Sequence, residues 1–144
     1  MDLYDDDIVT WCEAQAALLR RMSKGETPHE PPDWANIIEE IEALGRSETR
    51  ACTSALMQML YHEMKLIAWP DSTAANVWRE EVWARRFEAA KAYAPSMRRK
   101  IDIAEIYARA LREFRKMPAM IDGTSPLPVP ETCARTLEEL LGEL

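Results

Sequence analysis

Residues 33 to 68 read DWANIIEEIEALGRSETRACTSALMQMLYHEMKLIA. The segment contains no proline, and its apolar residues recur with the period of a helix. We therefore predict one unbroken helix of about 35 residues, roughly 50 Å long, with Asp33 as its N-cap. A helix of this length is not stable alone in water, so shorter segments before and after it are expected to pack along it.

The apolar side of this helix is interrupted by polar residues. At about 100° per residue, one broad stripe collects Trp34, Ile37, Ile38, Ile41, Leu44, Cys52, Ala55, Leu56, Met59, Leu66 and Ile67. Glu48 and Glu63 fall inside the stripe, and His62 falls at its edge. Lys65 falls mostly opposite the stripe. Gly45 also lies in the stripe, and its cost of about 1 kcal/mol against alanine predicts a closely packed neighbouring helix.

Shorter helices are predicted before and after the long one, at residues 5–22, 73–94, 96–117 and from Thr136 to about Gly142. The sequence Trp69-Pro70-Asp71-Ser72 reverses the chain, which makes the 73–94 helix antiparallel to the end of the long helix. Thr136 and Glu139 form a capping box. The predicted fold is therefore all-α. It is a single domain over residues 1–144, a bundle of four main helices plus a short C-terminal helix, organised around the long one.

Several side chains are expected to be buried by their helical spacing. The 73–94 helix is expected to bury Trp78, Trp83 and Phe87. In the 96–117 helix, Ile103 and Ile106 face away from the main apolar stripe, which includes Ala104. The proline-rich connection at 118–130 is expected to tuck in Leu127 and Val129, and Cys12 and Cys52 are expected to be small buried thiols.

Arg79 and Arg86 lie seven residues apart on the apolar side of the 73–94 helix. They are basic residues at positions expected to be buried, as Glu48 and Glu63 are acidic residues at such positions in the long helix. Counting back from a turn near Pro70 places Arg79 level with His62 and Glu63. Arg86 then lies near Ala55, from where it can reach toward Glu48. We therefore predict an interhelical polar cluster of Glu48, His62, Glu63, Arg79 and Arg86.

Three interpretations of this cluster remain open. The two acids can simply pair with the two arginines and fix which helices pack together. The arginines can instead bind an anionic ligand, with Glu48 or His62 as acid or base. A third interpretation is a divalent ion held by Glu48, His62 and Glu63, although the nearby arginines would repel it. We expect no metal and no cofactor, and we assign no catalytic residue.

Composition limits the class of partner. The formal charge of −7 over 144 residues argues against a nucleic-acid or anionic-membrane surface. The N-terminal sequence has no apolar core of signal-peptide length, and no apolar run is long enough to span a bilayer. Three cysteines far apart form no disulfide framework. We therefore expect a cytoplasmic protein.

The order of segments resembles one known bacterial family, the domain of unknown function 29 family. The resemblance covers nearly the whole chain and rests on YDDDIVTWCEAQAALL at 4–19, DWANIIEEIEALGRSE at 33–48, LMQMLYHEMKLIAW at 56–69, Trp78-Arg79, Arg86, SMR at 96–98 and PETCARTLEELL at 130–141. The family tends to have Cys-Pro where this chain has Cys133-Ala134-Arg135. The resemblance implies an all-α fold and supplies no activity, cofactor or partner.

Two classes of function follow. The first is a small helical protein-interaction module that binds a protein partner or itself. The alternative is a small-molecule or anion-binding protein, or an enzyme, that uses the five-residue cluster. The sequence has no glycine-rich phosphate loop, Gly-x-Ser-x-Gly turn or His-Glu-x-x-His motif. The absence of these motifs argues against an enzyme.

Overall fold

The computed structural model describes residues 2–142 as an all-α protein. It contains the helices α1 (Leu3–Asp6), α2 (Ile8–Ser23), α3 (Trp34–Ala68), α4 (Ala75–Ala92), α5 (Ile103–Phe114) and α6 (Leu137–Leu141), with one turn of 3₁₀ helix at Pro95–Met97. Within these residues no strand forms, and the predicted fold class is confirmed. No helix among them is both long and apolar enough to cross a membrane.

The chain divides between Arg46 and Ser47 into two compact units, and α3 contributes residues to both. The first unit contains α1, α2 and the beginning of α3. The second contains the rest of α3 and the helices that follow. The single domain over residues 1–144 stays a prediction.

The first helix of the sequence is broken at Asp7, which the prediction of one helix over 5–22 missed. Asp7 has non-helical backbone angles, φ −151° and ψ 85°, which end α1 and begin α2. Its carboxylate accepts hydrogen bonds from the backbone nitrogen of Thr10 at 3.1 Å and from the Thr10 hydroxyl at 2.7 Å. Such side-chain capping replaces the helical hydrogen bonds that the backbone gives up.

The start of α3 is held by polar contacts from α2. Asp33 precedes the helix as its expected N-cap, and its carboxylate accepts hydrogen bonds from Asn36 Nδ2 at 2.7 Å and from the indole nitrogen of Trp11 at 3.0 Å. Gln15 accepts a hydrogen bond from the backbone nitrogen of Asp33 at 2.8 Å. The hydrogen bonds that involve Trp11 and Gln15 join α2 to the start of α3. Those from Asn36 and Trp11 to the carboxylate lower the pKa of Asp33.

In the second unit, α4 runs antiparallel to the end of α3. Cys52 donates from Sγ to the carbonyl of Ala89 at 3.5 Å, near the far end of the pair. Nearer the turn, the ammonium of Lys65 lies 5.2 Å from the centre of the Trp78 ring. The main core combines α3 side chains with those of α5 and α6: Cys52, Ala55, Leu56, Met59, Leu60, Met64, Ile106, Tyr107, Ala110, Leu111, Leu137, Leu140 and Leu141.

The side of α4 that faces the core differs from the predicted one. Trp78 and Ala89 are buried and Val82 packs against the core, whereas Trp83 and Phe87 are exposed. Trp83 follows Val82 directly, so it points about 100° away around the helix. The prediction that Trp83 and Phe87 are buried is therefore wrong.

The α5 helix begins later than predicted. Pro95–Met97 forms a 3₁₀ turn, and α5 starts after Asp102, whose carboxylate caps the backbone nitrogen of Glu105. This start rotates the buried side of the helix. Ile106 is buried and Ala104 is exposed, which is the reverse of the prediction.

The segment between α5 and α6 contacts the α3–α4 turn. Asp122 accepts hydrogen bonds from Ser72 at 2.9 Å and from the backbone nitrogen of Thr73 at 3.0 Å. Val129 packs against the core as expected, but Leu127 is exposed, because its contact is a backbone hydrogen bond to Ala68. Thr136 caps α6 as predicted, because its hydroxyl accepts from the backbone nitrogen of Glu139 at 3.2 Å. The Glu139 carboxylate accepts from that hydroxyl rather than from the Thr136 backbone nitrogen, and α6 ends before Gly142.

Candidate functional site

The clearest polar cluster of the second unit is centred on Glu63. Arg135 donates to Glu63 Oε1 through Nη1 at 3.1 Å and to Oε2 through Nη2. Arg86 donates to Oε1 from α4 at 3.5 Å, and its Nε donates to the carbonyl of Leu140 at 3.2 Å. The hydrogen bonds to Glu63 raise the pKa of Arg135, which keeps it cationic. We call Glu63, Arg86 and Arg135 the Glu63 cluster.

A cavity of about 440 Å³ lies beside this cluster. Leu60, Met64 and Ile67 of α3 form one side. The other side consists of Tyr107 of α5 and, from the segment 130–135, every residue except Glu131. The Tyr107 hydroxyl donates to the carbonyl of Pro130, which fixes this segment over α5. Glu63 and Arg135 also line the cavity, so charged groups meet a mostly apolar surface.

A second cluster surrounds Lys65, which is only 8% exposed. Its ammonium lies 4.5 Å from the centre of the Tyr61 ring and 5.2 Å from that of Trp78. Both distances are within the range of a cation–π interaction. Burial lowers the pKa of Lys65, and the charge of Glu81 partly opposes that shift. Although Lys65 lies opposite the apolar stripe of α3, it is buried, because the rings of Tyr61 and Trp78 lie against its side chain.

His62 lies in the same region. Its Nε2 is 3.7 Å from Glu81, and its buried Nδ1 has no hydrogen-bond partner among residues 2–142. Burial, with the charges of Lys65 and Arg85, lowers the pKa of His62 to about 4, although Glu81 acts in the opposite direction. The neutral imidazole is therefore the form that this site favours at neutral pH.

The five residues predicted to form one cluster do not converge. Only Glu63 and Arg86 meet. His62 is next to Glu81, and Arg79 is exposed and donates to Asn76 within α4. Glu48 is exposed, and the described residues give it no ion pair. Whether any of the five has a functional role stays a prediction.

Two participants were missed by the sequence reasoning. Arg135 lies 72 residues after Glu63, and no helical spacing relates them. The sequence offered one signal for Arg135, which is that it immediately precedes Thr136, the predicted N-cap of the last helix. A capped helix start fixes the backbone from which the Arg135 side chain extends. Glu81 carries no such signal. Within residues 2–142 no group of three or more His, Cys, Asp or Glu side chains could hold a metal ion.

The first unit has a different kind of candidate surface. Trp34, Ile38, Ile41 and Leu44 lie along one side of α3 and are between 49% and 67% exposed. We call these four residues the α3 ridge. Arg46 bonds to Glu39 at 2.7 Å and lies 3.8 Å from Glu42, so charges at the side of the ridge are partly paired.

Exposed aromatic residues also occur on α4. Trp83 is 71% exposed, and its ring stacks on that of Phe87 with centres 6.0 Å apart and an angle of 11°. Arg79, Glu80, Glu81 and Ala84 border a wide depression beside Trp83. This depression is open, because Trp78 is buried beneath α4 and Trp83 projects from it.

Comparison with known proteins agrees with the fold and adds no activity. The family model described as Domain of unknown function DUF29 matches residues 3–143. A solved structure, an alpha-helical protein of unknown function from Rhodospirillum rubrum, is 28% identical with a TM-score of 0.71. That match covers 99% of this chain and 91% of the other. Comparison with curated proteins gives no match.

Proposed function

The chain belongs to the family of the domain of unknown function DUF29, and on that premise we propose that it is a self-associating protein-interaction module whose contact surface is the α3 ridge. The observation that carries this proposal is the poor burial of the first unit. Its described part buries two large hydrophobic residues, Trp11 and Ile37, and exposes seven: Leu3, Ile8, Val9, Trp34, Ile38, Ile41 and Leu44. A unit this small does not have enough core of its own and gains stability from a partner.

The spacing of the ridge favours a second helix as the partner. Trp34, Ile38 and Ile41 are separated by four and then three residues, which is the spacing of side chains that pack between paired helices. A second copy of the chain presents the same three residues across a two-fold axis. The pairing of Arg46 with Glu39 and Glu42 reduces like-charge repulsion between such copies.

The energetics favour a reversible association. Burial of each half-exposed ridge side chain contributes on the order of 1 kcal/mol. A symmetric pair of copies buries eight of them, twice the four in one chain. Because association itself costs several kcal/mol, we expect a dimer that dissociates on dilution.

Substitutions on the ridge test this function. Ile38→Glu combined with Ile41→Glu places acidic groups on both faces of the symmetric contact, so we expect a monomer at concentrations where the unchanged chain is a dimer. Met120→Glu combined with Leu127→Glu also replaces two apolar side chains by acidic ones, at residues that are 53% and 55% exposed but lie outside the ridge. Light scattering after size exclusion distinguishes the outcomes. If the control variant with Met120→Glu also loses the dimer, or if neither variant loses it, the ridge is not the contact surface.

A cytoplasmic location is part of the proposal. Cys12, Cys52 and Cys133 are free thiols, which suits a reducing compartment. Fractionation of producing cells tests it, and recovery with the membrane or exported fraction contradicts it. The alternative function that uses all five residues of the expected cluster is not adopted, because only Glu63 and Arg86 meet.

A further inference from the structure

We propose that the cavity beside the Glu63 cluster binds an aliphatic monocarboxylate, with the carboxylate at Arg135 and the hydrocarbon chain along α3. The site lies entirely in the second unit, whereas the α3 ridge belongs to the first. It is therefore independent of the self-association proposed above.

The apolar part of the cavity suits a flexible hydrocarbon. Leu60 and Met64 are almost completely buried, and Leu66 and Ile67 extend the aliphatic surface toward solvent. Methionine adapts readily to ligands of irregular shape. A volume of about 440 Å³ lies within the usual range for small-molecule sites.

The charged part of the cavity favours an anion. Glu63 and Arg135 line the cavity, and Arg86 contacts Glu63 from beside it, so the Glu63 cluster as a whole has one positive charge in excess. Arg135 uses two of its five N–H groups on Glu63 in the contacts described, and its side chain is 38% exposed. It therefore retains donors for a second carboxylate. Arg86 is less available, because its Nε already donates to Leu140.

The same charge balance sets the expected selectivity. A neutral alcohol of the same chain length gains the apolar contacts only, and a quaternary ammonium of that length meets the excess positive charge. We expect dodecanoate to bind about tenfold or more tighter than dodecan-1-ol, as one charge-assisted hydrogen bond predicts. Dodecyltrimethylammonium is expected to bind more weakly than either.

Binding can be followed through Cys133, which lines the cavity and is partly buried. In a Cys12→Ser background the remaining thiol, Cys52, is fully buried, so a thiol reagent reports on Cys133. Dodecanoate below its micelle concentration is expected to slow this labelling in proportion to occupancy. Calorimetric titration of the unchanged chain gives an independent affinity.

Two substitutions give opposite effects if Arg135 holds the carboxylate. Arg135→Gln removes the donor and is expected to reduce dodecanoate affinity to that of the alcohol. Glu63→Gln removes the competing carboxylate and is expected to increase dodecanoate affinity severalfold. Arg21→Gln is the matched control, because Arg21 also pairs with a glutamate, Glu26, but neither residue lines the cavity, so its loss is expected to change nothing.

Affinity for dodecan-1-ol, with circular dichroism, shows whether each variant keeps an intact cavity. The proposal is supported if the Arg135→Gln variant still binds the alcohol but loses the preference for dodecanoate. Equal affinity of the unchanged chain for dodecanoate and the alcohol would overturn it. Absence of binding by both methods, or equal losses in the Arg135 and Arg21 variants, would overturn it as well.

Discussion

The Nε2 atom of His62 lies 3.7 Å from the carboxylate of Glu81, yet the pKa of His62 is lowered to about 4. The ring is largely enclosed, with a side-chain exposure of 16%, and Lys65 and Arg85 add repulsion. Burial therefore outweighs the nearby acid. His62 is better described as a neutral packing residue than as a cationic partner of Glu81.

This shift predicts a dependence of stability on pH. The pKa of His62 is lower in the folded chain than its ordinary value of 6.5, so the unfolded chain binds more protons between about pH 6.5 and pH 4. The stability present above pH 6.5 is lost as the pH falls through this window. With allowance for partial exposure of the ring, the loss is about 1 to 2 kcal/mol.

Urea denaturation at pH 7 and pH 4.5 measures this loss. His62→Gln is expected to reduce the difference between the two pH values, because the titrating group is removed. His29→Gln is the control, since His29 is exposed in the loop before α3 and is the only other histidine. An unchanged pH dependence in the His62 variant contradicts the lowered pKa.

Glu48 and Glu63 are expected to differ in their effect on stability. Glu63→Ala leaves Arg86 and Arg135 without their shared carboxylate and is expected to cost about 2 kcal/mol of unfolding free energy. Glu48→Ala alters an exposed side chain and is expected to change it by less than about 0.5 kcal/mol. Chemical denaturation compares the two directly. Equal losses would mean that Glu48 also has a buried partner.

Gly45 provides a test of helix packing. A Cβ placed on Gly45 would meet nothing within 4 Å, so the predicted close approach of a neighbouring helix does not occur within the described chain. Gly45→Ala is therefore expected to raise the unfolding free energy by about 0.5 to 1 kcal/mol through helix propensity. Thermal unfolding monitored by circular dichroism gives the sign. A decrease would indicate that another helix contacts this position.

The three thiols are expected to react at different rates. Cys12 is exposed, which contradicts the expectation that it is buried, whereas Cys52 is fully buried as expected. Burial also raises the pKa of Cys52, which lowers its thiolate fraction. With a thiol reagent we expect rapid labelling of Cys12, slower labelling of Cys133 and none of Cys52 before unfolding. The fast phase should disappear in Cys12→Ser, and its persistence would contradict this order.

The length of α3 and the α3–α4 register were accessible to sequence reasoning because they depend on local rules, whereas the break at Asp7 and the late start of α5 were missed. A proline-containing turn and a fixed rise per residue predicted an antiparallel α3–α4 pair with Arg86 near Ala55. The observed hydrogen bond from Cys52 Sγ to the Ala89 carbonyl, one turn further along both helices, agrees with that register. Counting from the same turn placed His62 level with Arg79, which is two residues before Glu81, its observed neighbour on α4. Local rules do not fix the rotation of each helix, which is why Trp83 was assigned to the wrong side.

The Glu63 cluster was only half accessible. The apolar stripe identified Glu63 as a buried acid in need of a partner, and Arg86 was among the expected partners. Arg135 comes from an irregular segment whose path depends on tertiary contacts such as the hydrogen bond from Tyr107 to Pro130. No periodic pattern encodes such a path, so the cavity beside Arg135 could not be foreseen.

Sedimentation equilibrium of the unchanged chain over a range of concentrations tests the proposed self-association most directly. We expect the average mass to rise from the 16.5 kDa of one chain toward twice that value as concentration increases. A constant mass of 16.5 kDa up to the highest concentration would contradict the proposal that the α3 ridge binds a second copy.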